Sequence, residues 1–169
     1  EEGDSANVEG DHDGKRNLAI SATLDVEEVG HDPRQRRSDE TTGDIMARFA
    51  RLTVLNSMMD VGLVPVFHHD DITTARSIVG ALSRGGARAI EFTNRGDHAF
   101  EVFSELERYC SSEHPDVILG AGTVMDEVTA GTYLNLGANF IVGPSLDRRV
   151  AELCNRRKVA YSPGCATAT

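Results

Sequence analysis

The sequence predicts an α/β fold: a parallel sheet with a helix after each strand, laid out as a (β/α)8 TIM barrel truncated after about the fifth strand. Three observations predict it. Five short apolar runs begin near residues 63, 88, 117, 139 and 159. Each gap between them holds one stretch of helical periodicity, and alternating strands and helices with apolar strands mean a parallel sheet. The first run is followed by His68-His69-Asp70-Asp71, where an open dinucleotide-binding sheet would carry its glycine fingerprint. A whole barrel of this kind takes about 250 residues, and this chain has 169.

Residues 1–42 read as an acidic disordered leader, and 43–169 as a partial (β/α) barrel. Residues 1–45 hold thirteen Asp and Glu against five Lys and Arg, a balance of −8, and the remainder carries only −2 of the total −10. Too little apolar surface is available in the leader to offset the entropy of ordering it. The chain opens on Glu1, and Met46 is a candidate true start.

A helix is expected from Asp44, its cap, with Ile45, Phe49, Leu52 and Met59 near helical spacing. Leu63 to Phe67 is the first strand, and Pro65 must sit at its start or at a bulge because it lacks a ladder donor. Asp71 caps a helix with Ile72, Ala75, Ile78, Val79 and Leu82 on one face, ended by Gly85-Gly86. Arg88 to Phe92 is the second strand. Asp97 is expected to cap a helix carrying Phe100, Phe103 and Leu106. Val117 to Leu119 is the third strand, then a helix runs from Asp126 to Leu136 and stops at Gly137. Phe140 to Val142 is the fourth strand. Asp147 or Ser145 caps a helix with Val150, Leu153 and Cys154, and Val159 to Tyr161 is the fifth strand.

Composition excludes some classes. Nucleic acid demands a basic face, which an acidic leader and a near-neutral body do not offer. No apolar run approaches the roughly 18–20 residues of a membrane span, and no secretory signal pattern opens the chain. Cys110, Cys154 and Cys165 are odd in number and far apart, which fits reduced thiols and the cytoplasm. Cys165 reads as a small buried filler.

Functional side chains of a barrel lie at the C-terminal ends of its strands. That rule selects His68 and His69; Glu91, Thr93 and Arg95; Gly120, Gly122 and Thr123; Pro144 and Ser145; and Ser162 to Cys165. Glu91 is a carboxylate in an apolar strand, where burial raises its pKa toward proton-transfer duty. Arg95 follows four residues later, where its planar fork can hold a carboxylate. Gly120 and Gly122 permit close backbone approach, and Thr123 adds a hydroxyl. A metal at His68-His69 is not expected, because adjacent strand-end residues point opposite ways and no third ligand stands at metal spacing.

Three segments in this order carry a resemblance: Gly85-Gly86-Ala87-Arg88-Ala89-Ile90-Glu91-Phe92-Thr93-Asn94-Arg95, then Gly120-Ala121-Gly122-Thr123-Val124, then Ser162-Pro163-Gly164. Together, residues 46–169 resemble the 2-keto-3-deoxy-6-phosphogluconate / 4-hydroxy-2-oxoglutarate aldolase family. The resemblance implies a class I aldolase that cleaves a 2-keto-4-hydroxy acid to pyruvate and an aldehyde through a lysine Schiff base, with no cofactor. It implies Glu91 as general acid/base, Arg95 and Thr123 as holders of the carboxylate, and Gly122 and Pro163 as pocket walls. The family is typically a homotrimer.

One departure stands out. The family's lysine lies on the sixth strand, in a Lys-x-Phe-Pro run, whereas the only lysines here are Lys15 and Lys158. The 169 residues are therefore expected to be inactive alone. Two other classes remain open: a non-catalytic keto-acid-binding or assembly protein, and a phosphosugar epimerase or isomerase on the same barrel.

Overall fold

The computed structural model describes residues 47–167; the acidic leader, Asp44 and Ile45 lie outside them. Ten elements alternate in order. Helix α1 is Arg51–Val61, followed by β1 Val66–Phe67, α2 Ile72–Arg84, β2 Ala89–Thr93 and α3 Ala99–Glu113. Then come β3 Ile118–Gly122, α4 Glu127–Asn135, β4 Phe140–Gly143, α5 Arg148–Arg156 and β5 Ala160–Pro163.

The strands form one sheet in the order β1-β2-β3-β4-β5, and every pairing is parallel. A doubly wound sheet reverses its strand order at a switch point. Here the order is strictly sequential, which is the layout of a barrel wall. Alternation then splits the strands into two faces. One face sends Ile90, Phe92, Leu119, Ala121 and Ile141 into a core shared with Val79, Phe103, Leu106, Tyr133, Val150 and Cys154 of α2 to α5. The other is the inner face of the wall. Its lower half packs Ala89, Ile118, Phe140 and Ala160 against Val54 of α1.

Caps set several boundaries. Asp71 accepts from the Thr74 amide, Asp126 from Val128 and Thr129, and Asp147 from Val150, each satisfying a donor that the helix start leaves unpaired. Asp97 does not do so: α3 is capped by His98, without a side-chain hydrogen bond. Helix α1 starts at Arg51 after Ala50, so Phe49 precedes it. The face that α1 turns inward carries Val54 and Met58, while Leu52 and Met59 are exposed. A regular spacing identified a stripe, but the sheet accepted a different one.

All five strands shift from their expected spans, β2 and β4 by at most one residue at either end and the other three by more. β1 shrinks to Val66–Phe67 because Pro65 ends the ladder, its carbonyl still accepting from the Glu91 amide at 2.8 Å. β3 runs on through Gly120 and Gly122, and β5 through Pro163. Leu52, Leu55, Met59, Leu63 and Val66 leave an apolar surface exposed beside α1 and β1. Among the described residues no helix is long and apolar enough to cross a membrane.

Polar ties fix α1 beneath the sheet. The Arg48 guanidinium donates to the carbonyls of Pro115 and Val117 at 2.8 and 2.6 Å. Arg51 donates to the Cys154 carbonyl at 3.0 Å. Asn139 is fully buried; its Oδ1 accepts from the Phe49 amide at 3.1 Å, and its Nδ2 donates to Leu119 and Gly137 carbonyls. A buried amide so completely paired is stabilising, and removal of one partner leaves a cost of about 1–3 kcal/mol per orphaned group.

Candidate active site

Register decides which side chains meet at the strand ends. Glu91 pairs with Gly120, and Thr93 with Gly122, so Glu91, Thr93 and both glycines share the inner face. Glu91 is 8% exposed. Its carboxyl leans toward the strand end: a Cβ built on Gly122 would overlap Glu91 Oε1. A Cβ on Gly120 would overlap the Phe140 ring. The two glycines were expected to open the backbone to a ligand. Their space is instead filled from the flanking strands, by the Glu91 carboxyl and by Phe140.

Burial pushes the Glu91 carboxyl above the usual carboxylate range, and the Arg95 guanidinium opposes that shift. The Glu91 carboxyl forms no hydrogen bond with any described residue. Arg95 lies exposed in the turn after β2, its guanidinium without a hydrogen bond or ion pair to the described residues. Its amide donates to the Thr93 carbonyl at 2.9 Å, and the Asn94 amide donates to the Gly122 carbonyl at 2.8 Å. The Tyr133 hydroxyl donates to Asn94 Oδ1 at 2.8 Å. Burial, and then Glu101, push that hydroxyl up to about 12.

Thr123 follows directly in the sheet's end row. Its φ of 61° lies in the left-handed region, which a β-branched residue enters only at a cost of order 1–3 kcal/mol. The Val124 amide, donating to the Val142 carbonyl at 3.1 Å, holds the turn in place. Such strain gathers at ligand sites, and here it falls on a half-buried threonine beside Gly122.

Pro163 closes β5 opposite Gly143. The Gly164 amide donates to the Gly143 carbonyl at 2.8 Å, and a Cβ on Gly164 would overlap the Pro144 carbonyl. Cys165, expected to be buried, is exposed; the turn after β5 carries it outside the packed core. A cleft of about 310 Å³ beside β5 touches Pro163, Tyr161 and Arg51, but neither Glu91 nor Arg95, so it belongs to the sheet edge.

The structure thus brings Glu91, Arg95, Gly122 and Thr123 to the ends of β2 and β3, with Pro163 two strands away. Lys158 sits in the turn between α5 and β5 with φ 55°. Because all strands are parallel, that turn is at the opposite end of the sheet. His68 and His69 part ways, as adjacent residues do. His68 approaches Thr93 and Asp70, and His69 Nδ1 accepts from the Asp71 amide. Sequence reasoning missed Tyr133 and Asn94, whose pairing spans 39 residues; only the helix-period position of Tyr133 hinted at burial.

Comparison with known proteins adds a family. The KDPG and KHG aldolase family model matches residues 54–169. The 2-dehydro-3-deoxy-phosphogluconate aldolase of Treponema pallidum is 33% identical over 118 residues, which is 70% of this chain and 54% of that protein. The crystal structure of the 2-keto-3-deoxy-6-phospho-gluconate aldolase of Zymomonas mobilis matches with TM-score 0.55 and 31% identity, covering 62% of this chain and 48% of that one. The KDPG aldolase of Legionella pneumophila, solved with pyruvate captured as a covalent carbinolamine intermediate, matches with TM-score 0.56 and 26% identity, covering 62% and 48%. The chain spans about half the length of the curated relatives it matches.

Proposed function

The chain belongs to the KDPG and KHG aldolase family, and from that premise we propose that it forms the acid/base and carboxylate-binding half of a class I aldolase. The reaction is cleavage of 2-keto-3-deoxy-6-phosphogluconate or 4-hydroxy-2-oxoglutarate to pyruvate and an aldehyde. The observation that carries this reading is a buried carboxyl, Glu91, laid over Gly122 at the strand ends, with the Arg95 guanidinium, unpaired among the described residues, near enough to shift it.

Each residue has a task that its surroundings support. A carboxyl whose pKa is raised holds its proton closer to neutrality, so Glu91 can give one to a departing hydroxyl and take one from the C4 hydroxyl as the carbon–carbon bond breaks. Arg95 offers two parallel N–H groups to the carboxylate of the pyruvate end. The Thr123 hydroxyl adds a donor from a turn that its own strain marks as constrained. Gly122 keeps the Glu91 carboxyl in place by having no Cβ, and Pro163 bounds the slot from β5. The attacking amine is a lysine of a further strand; Lys158 lies at the far end of the sheet. The protein works in the cytoplasm, as a homotrimer.

Titration calorimetry of the 169-residue chain with pyruvate tests the reading. The chain is expected to bind pyruvate without a borohydride-trapped adduct, and Arg95→Gln is expected to weaken binding about tenfold or more, the worth of a charge-assisted hydrogen bond. Equal binding by the variant would remove Arg95 from the site.

A further inference from the structure

The His68–Asp70 pair at the end of β1 has no part in the chemistry above, yet beyond a ring contact with Phe92 its polar contacts lead to the turn that carries Arg95. His68 Nδ1 lies 3.2 Å from the Thr93 carbonyl oxygen. The Arg95 amide donates to that same oxygen at 2.9 Å. One carbonyl at the end of β2 therefore joins the imidazole to the Arg95 backbone. On the other side of the ring, Nε2 lies 2.9 Å from Asp70 Oδ1. Both ring nitrogens face oxygen atoms, so either tautomer ties the ring to Thr93 or to Asp70 through a donated hydrogen.

Gly96 completes the arrangement. Its φ is +83°, and a Cβ there would stand 2.9 Å from Asp70 Oδ1 and 3.3 Å from His68 Nε2. The backbone of the turn rests directly on the pair, and glycine is required both by conformation and by space. The opposite flank of the turn is held through Asn94, which Tyr133 and Gly122 secure. The turn over residues 93–96 is thus gripped from β1 on one side and from β3 and α4 on the other. Among the described residues the Arg95 side chain alone in this turn has no hydrogen-bonding partner, which leaves an available guanidinium on a fixed base.

We propose that His68, braced by Asp70, is a positioning residue: it fixes the Arg95 turn and thereby sets where the guanidinium stands relative to Glu91. The proposal rests on the reading of Arg95 as the carboxylate-binding group, but its geometry can be tested without any ligand.

The test is a carbon-13 NMR titration of the Glu91 carboxyl in the whole 169-residue chain, free of ligand. The forms compared are wild type, His68→Ala, Asp70→Asn, Arg95→Gln and the His68→Ala/Arg95→Gln double variant. The Arg95 charge lowers the Glu91 pKa against the effect of burial, so a guanidinium that drifts away leaves a higher value. His68→Ala and Arg95→Gln are each expected to move the titration upward, and the double variant no further than Arg95→Gln alone. Asp70→Asn is expected to move it in the same direction by less; this side chain is 76% exposed, so the variant keeps the fold even where His68→Ala does not. An unmoved Glu91 titration in both variants overturns the proposal. So does a His68→Ala shift that persists in full on the Arg95→Gln background, because His68 would then act on Glu91 by a route that does not pass through Arg95. Pyruvate affinity is expected to fall about three- to tenfold in His68→Ala, the worth of one hydrogen bond. If wild type binds no pyruvate while the titrations behave as expected, the carboxylate-binding reading fails and the positioning role stands.

Discussion

The two ends of this sheet are built to different rules. At the N-terminal end, Arg48 is bound to two carbonyls, Arg51 to the end of α5, and the Asn139 amide is paired through both of its atoms. At the C-terminal end, neither the Glu91 carboxyl nor the Arg95 guanidinium has a hydrogen bond among the described residues, and Thr123 is strained. Polar groups are buried in both places. Below, they close a structure; above, they are held in place by neighbours that are themselves satisfied, such as Asn94, Tyr133 and Gly122. Barrels divide stability and function between their ends in this way, and the division here is one of degree, since Arg48 Nε and Arg51 Nε at the lower end are buried without a hydrogen-bond partner.

Four substitutions test that contrast, and the largest effect belongs to the lower end. Asn139→Leu orphans the Phe49 amide and breaks the tie between the segment leading into α1 and β3; a loss of about 3 kcal/mol is expected in urea unfolding, with pyruvate affinity of the folded protein unaltered. Gly122→Ala places a methyl where the Glu91 carboxyl lies. It is expected to cost about 2 kcal/mol by overpacking and also to abolish pyruvate binding in calorimetry, joining the two properties that Asn139→Leu separates. Tyr133→Phe removes one donor to Asn94. Its expected cost is about 1 kcal/mol, accompanied by weaker pyruvate binding as the Arg95 turn loosens.

The smallest effect has the opposite sign. Burial raises the Glu91 pKa in the folded protein, so the folded state holds that proton more tightly than the unfolded chain. The contribution of Glu91 is therefore most favourable at low pH and is lost as pH climbs from the ordinary value of 4.5 through the raised folded value. Glu91→Gln removes that loss. The variant is expected to match wild type in unfolding experiments below this window and to exceed it above. A variant less stable than wild type at neutral pH would mean that Glu91 is a structural carboxylate like those that cap α2, α4 and α5.

Much of this was legible beforehand because it is local. Strand and helix alternation, the caps at Asp71, Asp126 and Asp147, and the placing of Glu91 and Arg95 four residues apart all follow from short-range pattern. The cap at Asp97 and the inward face of α1 were misread for the same reason. His98 holds the cap position, and the stripe of α1 that packs was chosen by Ala89, Ile118, Phe140 and Ala160, residues 35–106 positions further along.

By itself the sequence determined the parallel α/β order, the acidic leader's charge and the residue types that can move a proton and bind a carboxylate, because these depend on neighbours within a turn or a strand. Tertiary structure alone decided that the gaps at Gly120 and Gly122 are filled by Phe140 and Glu91, that Asn139 is a fully paired internal amide, and that His68 reaches the Arg95 turn. Those outcomes depend on strand register, which sets side chains dozens of residues apart within a few ångströms of each other.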